Sequence, residues 1–111
     1  MLRSGFADQE ERMAIEVHDV PEEKHFAALV DGVPAGRVEY LRTAGLIAYT
    51  HTEVDPAFEG KGVGSALAKA VLDQAREWQL PVLPQCPFIA SYIARHPEYA
   101  DVVYRRSETA G

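Results

Sequence analysis

The feature that most constrains this chain is a change of apolar period around residues 55–62. Upstream, apolar and polar residues alternate in short β-rich runs, whereas downstream Val63, Ala66, Leu67, Ala70, Val71, Ala75 and Trp78 recur at three- and four-residue spacings. Strands followed by an amphipathic helix is the only reading that satisfies both periods. Ala14 to His18, His25 to Val30, Gly36 to Leu41 and Leu46 to Val54 are the four expected strands, with Asp31-Gly32 as a hairpin turn and Thr43-Ala44-Gly45 as a second corner. The helix is expected over Gly62 to Trp78, ended by Pro81. Leu80 to Leu83 then suits a buried strand beside strand four, and Pro87 the first position of a second helix whose stripe is Phe88, Ile89, Tyr92 and Ile93. That helix stops at His96-Pro97, and Asp101 to Tyr104 is read as a last short strand. The order is ββββαβα(β): an α/β (α+β) fold with a mixed, mainly antiparallel sheet flanked by helices.

With 111 residues there is core enough for one domain, read as 13–111 after a loose, charged leader over 1–12. The 47% apolar content argues against disorder, and the chain shows neither a run of about 18 apolar residues nor the apolar core of a signal peptide. No membrane partner is expected, and a cytoplasmic location follows from that reading. The net charge of −6 disfavours a nucleic-acid partner, which would need a basic face. A single cysteine, Cys86, excludes an internal disulfide and a cysteine-based zinc site, and the histidines show no ligand spacing, so no metal is expected.

Glu59-Gly60-Lys61-Gly62-Val63-Gly64-Ser65 joins the fourth strand to the long helix. Glycines there let the backbone approach a ligand, and the free N–H groups of the helix's first turn suit a phosphate. The spacing matches neither the P-loop nor the dinucleotide fingerprint. A tight corner alone is the alternative.

The stretch Val54 to Leu67 resembles the coenzyme A motif of the GNAT acetyltransferases, Arg/Gln-x-x-Gly-x-Gly/Ala at the end of a central strand. His51-Thr52-Glu53-Val54 before it and Cys86-Pro87-Phe88 after it are similar to segments of the minimal, single-domain members, and the likeness runs from Ile15 to Val103. The resemblance implies acetyl-CoA as co-substrate. It implies direct transfer of an acetyl group to an amine-bearing acceptor, a small molecule or a protein lysine. The alternative is a coenzyme A or acyl-CoA binding module without turnover. Val54, Glu59, Gly60, Lys61, Gly62, Val63, Gly64 and Ser65 would hold pantetheine and pyrophosphate. Glu59 departs from the usual Arg or Gln, and Lys61 offsets its charge.

His51 and Glu53, two apart on one strand, put a base candidate and a carboxylate on one wall, together with Ile47 and Tyr49. The other face, Leu46, Ala48, Thr50, Thr52 and Val54, would pack under the long helix. A core histidine and a strand-end carboxylate are the competing assignment. Cys86, a helix N-cap that the resemblance places near the thiol end of coenzyme A, is read as a nucleophile, a proton donor to the thiolate, or a small buried residue. Tyr92 falls near the place where the family has a tyrosine that protonates the thiolate, without reproducing its spacing, so a core or adenine-side role is the alternative, and Arg95 serves the nucleotide phosphates or a solvated helix end. The family's two acceptor-shaping helices between the first strands are replaced by Asp19 to Lys24, so the acceptor side is open or completed by a second copy in a homodimer. Acidic residues on that half suit a cationic amine.

Overall fold

Local chemistry fixes each corner of the chain. The computed structural model describes residues 14–105, and the expected leader, 1–12, lies outside them. β1 (Ile15–Val20) and β2 (His25–Val30) are joined by one 3₁₀ turn at Pro21–Glu23 and by Lys24 at φ 59°. The compact link expected from the short Asp19 to Lys24 segment is what forms. Asp31 and Gly32 both take positive φ, the geometry of a two-residue hairpin whose twist matches that of the flanking strands, and lead into β3 (Val33–Arg42). β3 begins three residues earlier than expected because the hairpin runs on through Pro34. That proline is tolerated at a register shift where Ala28 pairs with Gly36 and Leu29 with Pro34.

β4 (Ile47–Val54) pairs antiparallel with β3 and parallel with β5 (Val82–Pro84), giving the sheet order β1-β2-β3-β4-β5. Between them runs α1 (Val63–Trp78), with Gly62 at its N-cap at φ 86° and Gln79 closing its C-terminus in a left-handed conformation. α1 packs on β1 through β4, burying Val63, Leu67, Ala68, Val71, Leu72 and Ala75. α2 (Pro87–Arg95) starts at the expected proline, with Cys86 as N-cap, and packs on β4, β5 and α1. The expected last strand is not one. Pro97–Val102 form a 3₁₀ helix, and only Val103 bridges Val82, because Tyr99 turns inward to the core and bonds Asp73 through its hydroxyl (2.6 Å).

The larger correction is in β4. Glu39 pairs with His51 but Tyr40 pairs with Tyr49, so Thr50 is the extra residue of a β-bulge, its hydroxyl bonded to the Glu39 carbonyl (3.3 Å). One inserted residue reverses the alternation. Ile47 and Tyr49 are therefore in the core, on the same side as the half-buried Thr52 and Val54 and not with His51 and Glu53, and Tyr49 donates to the Val71 carbonyl of α1 at 2.6 Å. The ring of Phe26 packs against those of Tyr49, Tyr40 and Trp78.

Among the described residues, no helix is long and apolar enough to cross a membrane, and no group of three or more His, Cys, Asp or Glu could hold a metal ion.

Candidate active site

β5 is short because Pro84 removes a ladder donor, so the β4–β5 pairing ends at Tyr49↔Pro84. The Cys86 N–H to the Tyr49 carbonyl, at 2.9 Å, is the last main-chain link before the two strands part. From there to Val54, β4 has β3 on one side and, among the described residues, no strand on the other. The Asp55 N–H reaches the Ala35 carbonyl on the β3 side (2.8 Å), so by alternation the main-chain groups of Val54 and Thr52 face the open edge. At the fork, the Thr52 hydroxyl lies 3.2 Å from Cys86 Sγ, and the thiol is buried.

The open edge leads to the start of α1. A cleft of about 320 Å³ is lined by Val54, Phe58, Glu59, Gly60, Gly62, Val63, Gly64, Ser65 and Phe88. Asp55 shapes the approach by accepting the Ala57 N–H (2.9 Å) and starting the 3₁₀ turn Pro56–Phe58. Gly60 and Gly62 stand at φ 79° and 86°, where an L side chain is strained. The first intrahelical donor is Ala66, to the Gly62 carbonyl (3.0 Å), which leaves the amides of Val63, Gly64 and Ser65 in the unpaired first turn. The amides of Glu59 and Lys61 are already bonded to the Pro56 and Phe58 carbonyls (both 3.3 Å), which leaves those of Gly60, Gly62 and the helix's own first turn for a ligand. Gly64 has a separate reason: a Cβ there would come within 2.9 Å of Phe88, so it lets α1 and α2 approach.

On the opposite sheet face, a cavity of about 650 Å³ is lined by residues that include His25, Arg37, Glu53, Val54 and Asp55. Val54 borders both spaces. Glu53 Oε1 accepts from Arg37 Nη1 at 2.8 Å, Glu53 Oε2 faces His51 Nε2 at 3.3 Å, and Arg37 Nε donates to Glu39 Oε2 at 3.0 Å. All four side chains are exposed or half-exposed.

The expected residues are thus only partly gathered. His51 and Glu53 touch each other, but Cys86 lies on the other side of β4 beneath Thr52. Tyr92 is a core residue, its ring stacked on His96 (3.8 Å between centroids) and close to Tyr99. Arg95 is exposed two turns into α2, bonded to Ser91 Oγ (3.2 Å). Neither lines the two spaces above, and Lys61 is exposed beside the cleft. Arg37 and Thr52 were not anticipated. The alternation Arg37-x-Glu39 beside His51-x-Glu53 is the signal that could have exposed Arg37, once the strands are paired.

A family model described as GCN5-related N-acetyl-transferase matches residues 25–102. The GCN5-like protein from Staphylococcus aureus, determined in solution by NMR, superposes with a TM-score of 0.60 at 26% identity, covering 84% of this chain and 91% of that one. Protein NATD1 from Xenopus tropicalis is 40% identical over 47 residues, 42% of this chain and 43% of NATD1. The chain thus matches less than half the length of that curated relative.

Proposed function

Because the chain belongs to the GCN5-related N-acetyltransferase family, we propose that it transfers an acetyl group from acetyl-CoA to an amine, with the pantetheine arm along the open edge of β4 and the pyrophosphate at the start of α1. The observation that carries this reading is the parting of β4 from β5 after three paired residues. It leaves main-chain donors and acceptors at Thr52 and Val54 in line with the free amides of Val63, Gly64 and Ser65. Extended amide groups pair with a strand edge as another strand would, and a helix N-terminus favours a phosphate through unpaired N–H groups and the helix dipole. The side chain of Glu59 is exposed, so it can turn to water while its neighbours' amides make the contacts.

Acetyl-CoA supplies the activated thioester, and the protein's own groups do the rest. Val54 and the start of α1 fix the co-substrate so that the thioester lies at the fork near Thr52 and Cys86. The Thr52 hydroxyl and the Cys86 thiol, 3.2 Å apart, offer a proton to the departing thiolate. A lysine-type amine, with a pKa of about 10.4, is charged at neutral pH, so a group beside it must take a proton. His51 and Glu53 on the open face are the candidates. We propose a cationic amine as acceptor, approaching from that face through the larger cavity, where Glu53 and Asp55 are carboxylates.

The test is purified protein with acetyl-CoA and a panel of amines, scored for free thiol. Release above the uncatalysed rate supports transfer. Binding of coenzyme A by calorimetry without release on any amine favours a binding module instead, and no heat with coenzyme A removes both. For Cys86, a Cys86→Ala protein that keeps most of its turnover excludes an acyl-cysteine route.

A further inference from the structure

Two groups, His51 and Glu53, stand ready for one amine proton, and the side chains around them divide the roles. Resting on the acetyl-transfer reading above, we infer that His51 accepts the proton at Nδ1, that Glu53 orients its ring, and that Arg37 is a positioning residue that fixes Glu53.

Both oxygens of Glu53 are engaged, one by the Arg37 guanidinium at 2.8 Å and the other by His51 Nε2 at 3.3 Å. An ionised carboxylate only accepts, so the hydrogen of the neutral ring sits on Nε2 and the free lone pair on Nδ1. A base held by a carboxylate that a third group holds is the arrangement that fixes a tautomer and a direction. Arg37 supplies that third group, and its Nε also binds Glu39, the cross-strand neighbour of His51. One guanidinium between two carboxylates leaves a single negative charge, which an imidazolium at His51 cancels. Among the described residues, the ion pairs and strand register put Glu53 on its own strand, and Glu39 and Arg37 on β3, around His51. His25, one strand further in the same row, is turned to Glu23 at 3.7 Å.

The bulge at Thr50 gives this cluster its place. It puts His51 and Glu53 on the open sheet face while Thr52 between them turns inward to Cys86. Proton acceptor and thiol therefore flank β4 from opposite sides. An ammonium group entering from the open face gives one proton to His51 Nδ1. The freed lone pair forms the C–N bond to the acetyl carbonyl as the C–S bond breaks, and the second amine proton leaves with the thiolate as free thiol. His51 then returns its proton to water.

The experiment combines histidine NMR with kinetics on the full chain. Long-range ¹H–¹⁵N spectra should show neutral His51 as the Nε2–H tautomer, with that preference lost in Glu53→Gln. Arg37→Met, which leaves Glu53 held by His51 alone, should weaken the same preference. With spermidine and a lysine-containing peptide amide as probe amines, His51→Gln should lower kcat on the order of 100-fold while KM for acetyl-CoA stays the same. Arg37→Met should lower kcat about tenfold, with KM for acetyl-CoA unchanged. Arg37→Lys should recover little of kcat, because an ammonium point charge cannot fork between Glu39 and Glu53. An Nδ1–H tautomer, a tautomer preference unmoved by both Glu53→Gln and Arg37→Met, or full turnover in His51→Gln would overturn the inference. Where wild type acetylates neither probe, the NMR outcomes decide alone. Wild type that binds no coenzyme A fails at the cofactor reading itself, whereas binding with the histidine outcomes reversed sinks only the roles assigned here.

Discussion

On one side of β4 the cleft at the start of α1 sets glycines at φ 79° and 86° and the amides of a first helical turn among the residues Val54, Phe58 and Phe88. On the other side Arg37, Glu39, His51 and Glu53 form a surface of side chains that hold one another across two strands. The first region depends on backbone conformation, which few substitutions outside the glycines can alter. The second depends on register, which a single inserted residue reverses. A binding function built on the main chain and a chemical function built on strand faces therefore fail in different ways, and substitutions can separate them.

The largest effect is expected at Gly36, the cross-strand partner of Val54, which borders both spaces. A Cβ at Gly36 would sit 2.6 Å from the Glu53 carbonyl, a main-chain atom with nowhere to go, so Gly36→Ala should destabilise the fold by about 3 kcal/mol. Denaturant unfolding checks this, and a loss under 1 kcal/mol would mean that β3 and β4 can part at no cost. Next is Gly62→Val, which strains a left-handed N-cap where a Cβ would meet only open space. It should weaken coenzyme A binding about tenfold by calorimetry and cost about 1–2 kcal/mol, with the His51 tautomer unchanged. An altered His51 tautomer would mean that the two regions are coupled after all.

Tyr49→Phe tests the bulge itself. Loss of the buried hydroxyl that bonds the Val71 carbonyl at 2.6 Å should cost about 1 kcal/mol, as expected only if Tyr49 points into the core. Gly64→Ala is expected to be smaller in stability, since better helix propensity offsets the push on Phe88, but it should weaken coenzyme A binding about threefold by moving Phe88 in the cleft. The smallest effect belongs to a pair outside both regions. Burial raises the pKa of Asp73, but hydrogen bonds from Tyr99 and Lys69 outweigh it and hold the carboxyl below its usual range, while burial and Asp73 push the Tyr99 hydroxyl up to about 12. A lowered folded-state pKa means the contribution is complete above the ordinary carboxylate value and is lost as pH falls through the folded one. Asp73→Asn should therefore cost no more than about 0.5 kcal/mol at pH 7, screened as exposed pairs are, and flatten stability against acid below about pH 4.

Much of this was legible before any coordinates. Asp31-Gly32 announces its turn because few residue pairs tolerate two positive φ values. Pro87 announces the start of α2, and Cys86 its cap, because a proline needs no donor there. Of the seven apolar positions read for α1, Val63, Leu67, Val71 and Ala75 are buried as a helical period requires, whereas Ala66, Ala70 and Trp78 are only half-buried and the inward Ala68 and Leu72 were not read. The β4 faces were not legible in full. His51 and Glu53 were correctly placed together, but Ile47 and Tyr49 were placed with them, since Thr50 looks like any strand residue until Glu39 and Tyr40 are seen opposite it. The final 3₁₀ helix was missed for a similar reason. Its stability comes from Tyr99 reaching Asp73 across 26 positions, a contact that no local pattern in Asp101 to Tyr104 reveals.

The sequence by itself determined the strands and helices as far as α2, their order, and the glycine turn that frees the first amides of α1, because propensity, period and φ are properties of neighbouring residues. Only the tertiary structure decided that β4 parts from β5 after Tyr49, that Gly64 is there for Phe88, and that Arg37 holds Glu53 while Cys86 waits on the far side. Those facts depend on which strand lies beside which and in what register, and pairing between distant residues is settled when the whole core packs.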